Sequence, residues 1–154
     1  MIRACFALAH RKIGALIAIE RTAELDNYME GAHLLDAHVS TELVSAIFHP
    51  TSPIHDGAVI IGGDRIRAAG VFLPISLQKT TRRTFGTRHR AAVGLTDTTD
   101  ALCLVVSEER GTVSLIQNAE VTPVADANDL RQRLQEGMKT GKSLQAHAAG
   151  GDSE

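Results

Sequence analysis

Apolar residues in this chain fall in short, sharply bounded runs. Ile13–Glu20 (IGALIAIE) is almost continuously apolar between charged neighbours. Its length predicts a strand buried on both faces. Residues 2–10 read as a short helix, and RTAELDNYMEGAH, after the strand, reads as polar and irregular. STELVSAIFHP predicts a helix. Ser40 is its N-cap, Glu42 lies in the first turn, and Leu43, Val44, Ile47 and Phe48 form an apolar stripe. Pro50 ends it. AVIIGGDRIRAAGVFLP predicts a hairpin of Ala58–Ile61 and Ile66–Leu73, turned by Gly62-Gly63-Asp64.

Residues 75–84 read as a polar, basic loop and Thr87–Val93 as a short helix. ALCLVVSEE and TVSLIQN predict a second hairpin around Glu109-Arg110-Gly111. DANDLRQRLQEGM predicts a last helix, capped by Asp126, with Leu130, Leu134 and Met138 on one face. From Lys139 the composition turns to Gly, Ser, Ala and charge, which reads as a frayed tail. The expected organisation is one α/β domain over residues 1–138, with a mixed, mostly antiparallel sheet flanked by helices, and a flexible tail over 139–154.

Composition narrows the class. The chain has 154 residues, and 44% of them are hydrophobic, which suits a single domain with a real core. Aromatic residues make up 3%, so aliphatic side chains must fill that core. The formal net charge of -2 argues against general nucleic-acid binding, and any polyanion must meet a local cluster. Cys5 and Cys103 are far apart and lack metal or redox spacing, as expected of buried thiols in a reducing cytoplasm. No run is long enough to span a membrane and no signal cleavage pattern is present.

Three constellations carry candidate chemistry. In FGTRHRAAVG, Arg88, His89 and Arg90 follow Gly86 and Thr87 at a predicted helix start. Cations there oppose the helix dipole by ~0.3–1 kcal/mol each, whereas a phosphate chain would meet free N–H groups and positive charge together. A solvated basic helix start is the plain alternative. In SPIHDGAVII, His55 and Asp56 precede a buried strand, where they can bind a divalent cation or accept a proton. Gly57 would let a ligand approach the backbone. An exposed Asp-Gly turn is the alternative. In VVSEERG, Ser107, Glu108 and Glu109 end a strand and fit phosphate or metal contacts, or a charged turn. GMKTGKS imitates a phosphate-binding loop, but it has three residues between its glycines instead of four and follows a helix.

Taken together, HDGA (residues 55–58) and GTRHRAA (residues 86–92) resemble the diadenylate cyclase domain, which makes cyclic di-AMP from two ATP. The likeness extends through RKIGALIAIER, LLDAHVSTELVSAIFHPTSPIHDGAVI, FLPIS and VVSEERGTVSLIQN, roughly from Arg11 to Leu134. It is similar above all to the catalytic domain of the membrane-anchored bacterial class. The resemblance implies Asp56 and Gly57 beside the ribose 3′-hydroxyl, with Ala58 completing the motif. It implies Thr87, Arg88, His89, Arg90 and Ser107 around the triphosphate, Leu35 and Phe72 around adenine, and Gly57, Ala58, Leu73 and Gly86 among the ATP-binding residues. His55, Asp56 and Glu109, with Glu108 behind them, become ligands for Mg²⁺ or Mn²⁺. Phe72 stands where some relatives carry tyrosine, which keeps the apolar face and loses a hydroxyl bond.

The implied reaction needs a facing homodimer, with higher oligomers open, no nucleic acid, and no membrane contact by this chain. The expected location is the cytoplasm, with a membrane tether if an N-terminal segment has been removed. Two other classes stay open: a catalytically silent ATP or cyclic-dinucleotide sensor, and an interaction protein whose basic cluster docks an acidic partner. Intact Asp56 and Arg88-His89-Arg90 argue against the silent sensor.

Overall fold

The computed structural model describes residues 1–75 and 85–149, with the backbone alone over 140–149. The basic loop expected over 75–84 therefore lies almost wholly outside the described residues. Helix α1 (Ile2–His10) leads into β1 (Ala15–Ile19), a 3-10 turn at Asp26–Tyr28, β2 (His33–His38) and α2 (Thr41–Phe48). Then come β3 (Ala58–Gly62), β4 (Arg65–Val71), α3 (Thr87–Thr98), β5 (Leu102–Val106), β6 (Val113–Gln117), β7 (Glu120–Val124) and α4 (Ala127–Ala149). The strands form one mixed sheet in the order β2-β4-β3-β1-β5-β6-β7. β1 and β3 pair in parallel, and the other neighbours pair antiparallel.

The alternation of side chains along each strand sorts the core into two layers. Ala15, Ile17 and Ile19 of β1 join Val59, Ile61, Leu102 and Leu104 beneath α1, α2 and α4. Leu16 and Ala18 join Ala58, Ile60, Cys103 and Val105 beneath α3. Every residue of β1 is buried, as its unbroken apolar run requires. Cys5 and Cys103 are free and buried. Burial pushes both thiols up to about 12, so they behave as small apolar side chains.

Local chemistry sets the helix ends. The Ser40 side chain accepts a hydrogen bond from the Leu43 N–H at 3.0 Å, an N-cap typically worth about 1 kcal/mol. At α4, the Asp126 carboxylate accepts from the Asp129 N–H at 2.8 Å, and the Asp129 carboxylate accepts from the Ala125 N–H at 2.9 Å. This reciprocal arrangement satisfies donors on both sides of the helix start.

Two strands differ from the expectation, which had none at these positions. β2 is an edge strand with a register break between Leu34 and Ala37, and Asp36 takes a φ of 50° there. The bulge destroys the period-two pattern that would mark a strand. β7 contains Pro123, which only an edge strand tolerates. α3 runs five residues past Val93, because Leu95 and Thr96 continue the buried face across Gly94.

α4 likewise continues past Met138 to Ala149, through a stretch free of proline. GMKTGKS lies inside this helix, where no phosphate-binding loop can form. A Cβ on Gly137 would come within 2.9 Å of Leu102, so glycine there lets α4 lie close to β5. Among the described residues, no helix is long and apolar enough to cross a membrane.

Candidate active site at one end of the sheet

Strand directions assemble the site. β1 and β3 run parallel with Ile17 opposite Val59, so both begin at the same end of the sheet. β5 finishes there, with Val106 beside Ala15, and so does β4, with Val71 beside Ala58. This single end therefore gathers Gly14, the 52–57 turn, Phe72 and the 107–112 turn. The start of α3 joins them, because the Arg88 guanidinium lies directly over Gly14, in the space a Cβ would fill.

That helix start has no negative group of its own. Its N-cap is Gly86, which offers no side-chain cap, and its first turn carries no acid. Thr87 is the first helical residue and not the cap. The Arg90 N–H closes the first turn onto the Gly86 carbonyl at 3.2 Å. The preceding N–H groups have no carbonyl four residues back within the helix.

The carboxylate that reaches Arg88 comes from another element: Glu108 lies 3.8 Å from Nη1. Glu108 is thus a partner for Arg88, a contact that sequence distance conceals. His89 stacks on Phe85 with ring centroids 5.0 Å apart and planes 14° apart. Burial draws the His89 imidazole below its ordinary value of 6.5, and the charges of Arg110 and Arg88 act in the same direction. The fold therefore favours neutral His89. Its contribution to stability falls as pH drops through about 6.5, where the unfolded chain takes up the proton first.

His55 and Asp56 form the second half of the site. The His55 ring approaches the Ser52 carbonyl through Nδ1 at 2.7 Å. A carbonyl oxygen can only accept, so Nδ1 carries the hydrogen. Nε2 then faces Asp56 Oδ1 at 3.2 Å. A bare nitrogen lone pair and a carboxylate oxygen repel at that distance, and a proton or a cation between them relieves the repulsion. Adjacent ligands of an octahedral cation with bonds of about 2.1 Å lie roughly 3 Å apart, so the pair fits two ligand positions of Mg²⁺ or Mn²⁺. Among the described residues no three of His, Cys, Asp or Glu gather for a metal, so Glu109 does not complete a set with His55 and Asp56.

Gly57 has a packing role. At its φ of 90°, a Cβ would lie 2.7 Å from the Val71 carbonyl oxygen. The side a Cβ would occupy is filled by β4, so the glycine permits strand approach there. Ala58 is fully buried and Leu73 nearly so, and both support the site by packing. Leu35 is half-buried against the helix-covered core, whereas Leu34 and Phe72 stand exposed at 73% and 78%. The Ser107 hydroxyl accepts from the Arg110 N–H at 3.2 Å, which leaves its own hydrogen to donate. The sequence reading did not single out Gly14, over which Arg88 lies, or Arg110, whose charge acts on His89. A glycine directly before a buried strand was the available signal for the first.

Residues 2–121 match the family model DAC, described as DisA bacterial checkpoint controller nucleotide-binding. The cyclic di-AMP synthase CdaA of Bacillus subtilis is 42% identical over 132 residues, covering 86% of this chain and 48% of that protein. The diadenylate cyclase of Listeria monocytogenes is 42% identical over 127 residues, covering 82% and 46%. The chain thus spans about half the length of these relatives. The crystal structure of a double mutant of DacA from Staphylococcus aureus superposes with a TM-score of 0.85 at 37% identity, covering 89% of this chain and 91% of that one.

Gly14→Ala tests the seat of Arg88. The added methyl would collide with the guanidinium, the flexible end of a side chain, so the fold should survive while Arg88 is displaced. Loss of one charge-assisted contact, ~1.5–3 kcal/mol, predicts about tenfold or more weaker binding of tripolyphosphate by calorimetry. Unchanged affinity would show that Arg88 holds no phosphate.

Proposed function

Because the chain belongs to the diadenylate cyclase family, we propose that it condenses two ATP molecules into cyclic di-AMP and two pyrophosphates. One observation carries the reading furthest. A cation-rich helix start without its own acid and a His–Asp pair suited to a divalent cation share one end of the sheet. Phosphoryl chemistry of this kind asks the protein mainly for positioning and charge neutralisation.

In this reading, the N–H groups at the start of α3, with Thr87, Arg88, His89 and Arg90, bind the triphosphate. Ser107 adds a hydroxyl contact. Neutral His89 can offer a hydrogen without adding a third positive charge beside the arginines. Phe72 presents an aromatic face to adenine, and Leu35 is a second adenine contact in this reading. His55 and Asp56 would hold one Mg²⁺ or Mn²⁺, which when bound would neutralise phosphate charge near the reacting phosphorus. The 3′-oxygen of one ATP forms a bond to the α-phosphorus of the other as the bond to the β-phosphate oxygen breaks. Pyrophosphate leaves, and Asp56 takes the 3′ proton.

Cyclic di-AMP contains two identical linkages, and a chain of this size plausibly holds one ATP. Two copies facing each other across a two-fold axis would bring each 3′-hydroxyl to the other copy's α-phosphorus. A linear dinucleotide triphosphate is then the intermediate between the two bond-forming steps.

Incubation with ATP and Mn²⁺, read by mass spectrometry, should yield cyclic di-AMP. ATP binding without product would identify a sensor, and neither outcome an interaction protein. Asp56→Asn keeps size and loses charge. It should lower product formation by about a hundredfold or more, the scale of a lost general base, while most ATP affinity remains. Near-normal turnover would reduce Asp56 to a turn residue.

The facing pair makes a separate prediction. Turnover per protomer should rise with protein concentration until the pairs saturate, with sedimentation following the same curve. Constant turnover in samples that sediment as monomers would require both nucleotides to bind within one chain.

A further inference from the structure

The turn between β5 and β6 is held more firmly than a solvated hairpin needs. The Ser107 N–H donates to the Thr112 carbonyl and the Gly111 N–H to the Ser107 carbonyl, both at 2.9 Å. The Ser107 hydroxyl accepts from the Arg110 N–H at 3.2 Å. Gly111, at a φ of 62°, sits against the end of α1, where a Cβ would lie 2.8 Å from the Ala9 carbonyl oxygen. On the other side, Glu108 reaches across to Arg88. The turn is thus anchored to α1 and to the start of α3 at once.

Arg110 is the central cation of this turn, and its side chain is exposed. Its charge bears on the His89 ring ahead of that of Arg88, the sequence neighbour of His89. Placing a further cation there adds repulsion to a helix start that already lacks an acid. Glu108 pairs with Arg88 at 3.8 Å, so the turn partly neutralises Arg88 while adding the charge of Arg110 to the surroundings of His89. An anion between the turn and α3 would satisfy both. The resemblance gave roles to Ser107, Glu108 and Glu109 around it and none to Arg110.

We propose that Arg110 is a further phosphate-binding residue of this site, closing on the polyphosphate from the β5–β6 turn opposite Arg88 and Arg90. This role rests on the proposed ATP reading and adds a residue to it. It also gives the anchoring a purpose, because a guanidinium on a fixed turn meets a phosphate with less ordering cost than one on a loose loop.

The test compares Arg110→Gln and Arg110→Lys with the unsubstituted chain. Each is titrated calorimetrically with tripolyphosphate, ATP and AMP in the presence of Mg²⁺. Arg110→Gln should weaken tripolyphosphate and ATP by about tenfold, with a smaller loss for AMP, and Arg110→Lys should retain part of the affinity. In the same variant, the His89 ring, followed by NMR, should titrate at higher pH because a repelling charge has gone. A merely structural arginine would weaken all three ligands alike and leave the Arg110→Lys protein no better than Arg110→Gln. Equal ATP affinity in Arg110→Gln and the unsubstituted chain overturns the role of Arg110 and leaves the cyclase reading standing. Failure of the unsubstituted chain to bind ATP overturns that reading and this role with it.

Discussion

The start of α3 has positive charge and no acid of its own. Gly86 provides no side-chain cap, the first turn holds no carboxylate, and Arg88, His89 and Arg90 follow at once. A helix start of this kind is electrostatically unfavourable in isolation. The surrounding fold limits the penalty without removing it. Gly14 gives the Arg88 guanidinium a place to lie, Glu108 partly neutralises it, and burial against Phe85 favours the uncharged form of His89. Gly14 and Glu108 both come from the end of the sheet where β1 and β3 begin and β4 and β5 finish.

That convergence follows from one parallel pair. Because β1 and β3 run the same way, the loop entering β3 and the residue entering β1 share an end. His55 and Asp56 are carried there by the first and Gly14 by the second. The antiparallel partners then return Phe72 and the 107–112 turn to the same place. Had the two strands been antiparallel, the His–Asp pair and the basic helix would lie at opposite ends of the sheet. The glycines hold this geometry closed: Gly57 and Gly111 each sit where a side chain would strike backbone.

Much of this was legible in the sequence. The strongly apolar strands, the Ser40 and Asp126 caps and both tight hairpins follow from local pattern and were read within a few residues. β2 and β7 were not, because a bulge and a proline break their alternation and only edge pairing sustains them. Two motifs named candidate residues that the fold brings to one end of the sheet, but their partnerships could not be read. Glu108 with Arg88, Arg88 with Gly14 and Arg110 with His89 join elements distant in sequence. Gly57 adds a role that the sequence did not reveal: on the side a Cβ would occupy, it lets β4 pack close.

The central claim is that phosphate charge is what this site lacks. A ligand that binds only the folded state raises the unfolding midpoint, and at equal concentration the rise grows with the logarithm of its affinity. Thermal unfolding should therefore be followed in the presence of Mg²⁺ with equal concentrations of adenosine, AMP, ADP and ATP. The account predicts a midpoint that climbs with each added phosphate and a smaller climb at high salt, where exposed charges are screened. Equal midpoints for adenosine and ATP would contradict it and reduce the cluster to a solvated basic helix start.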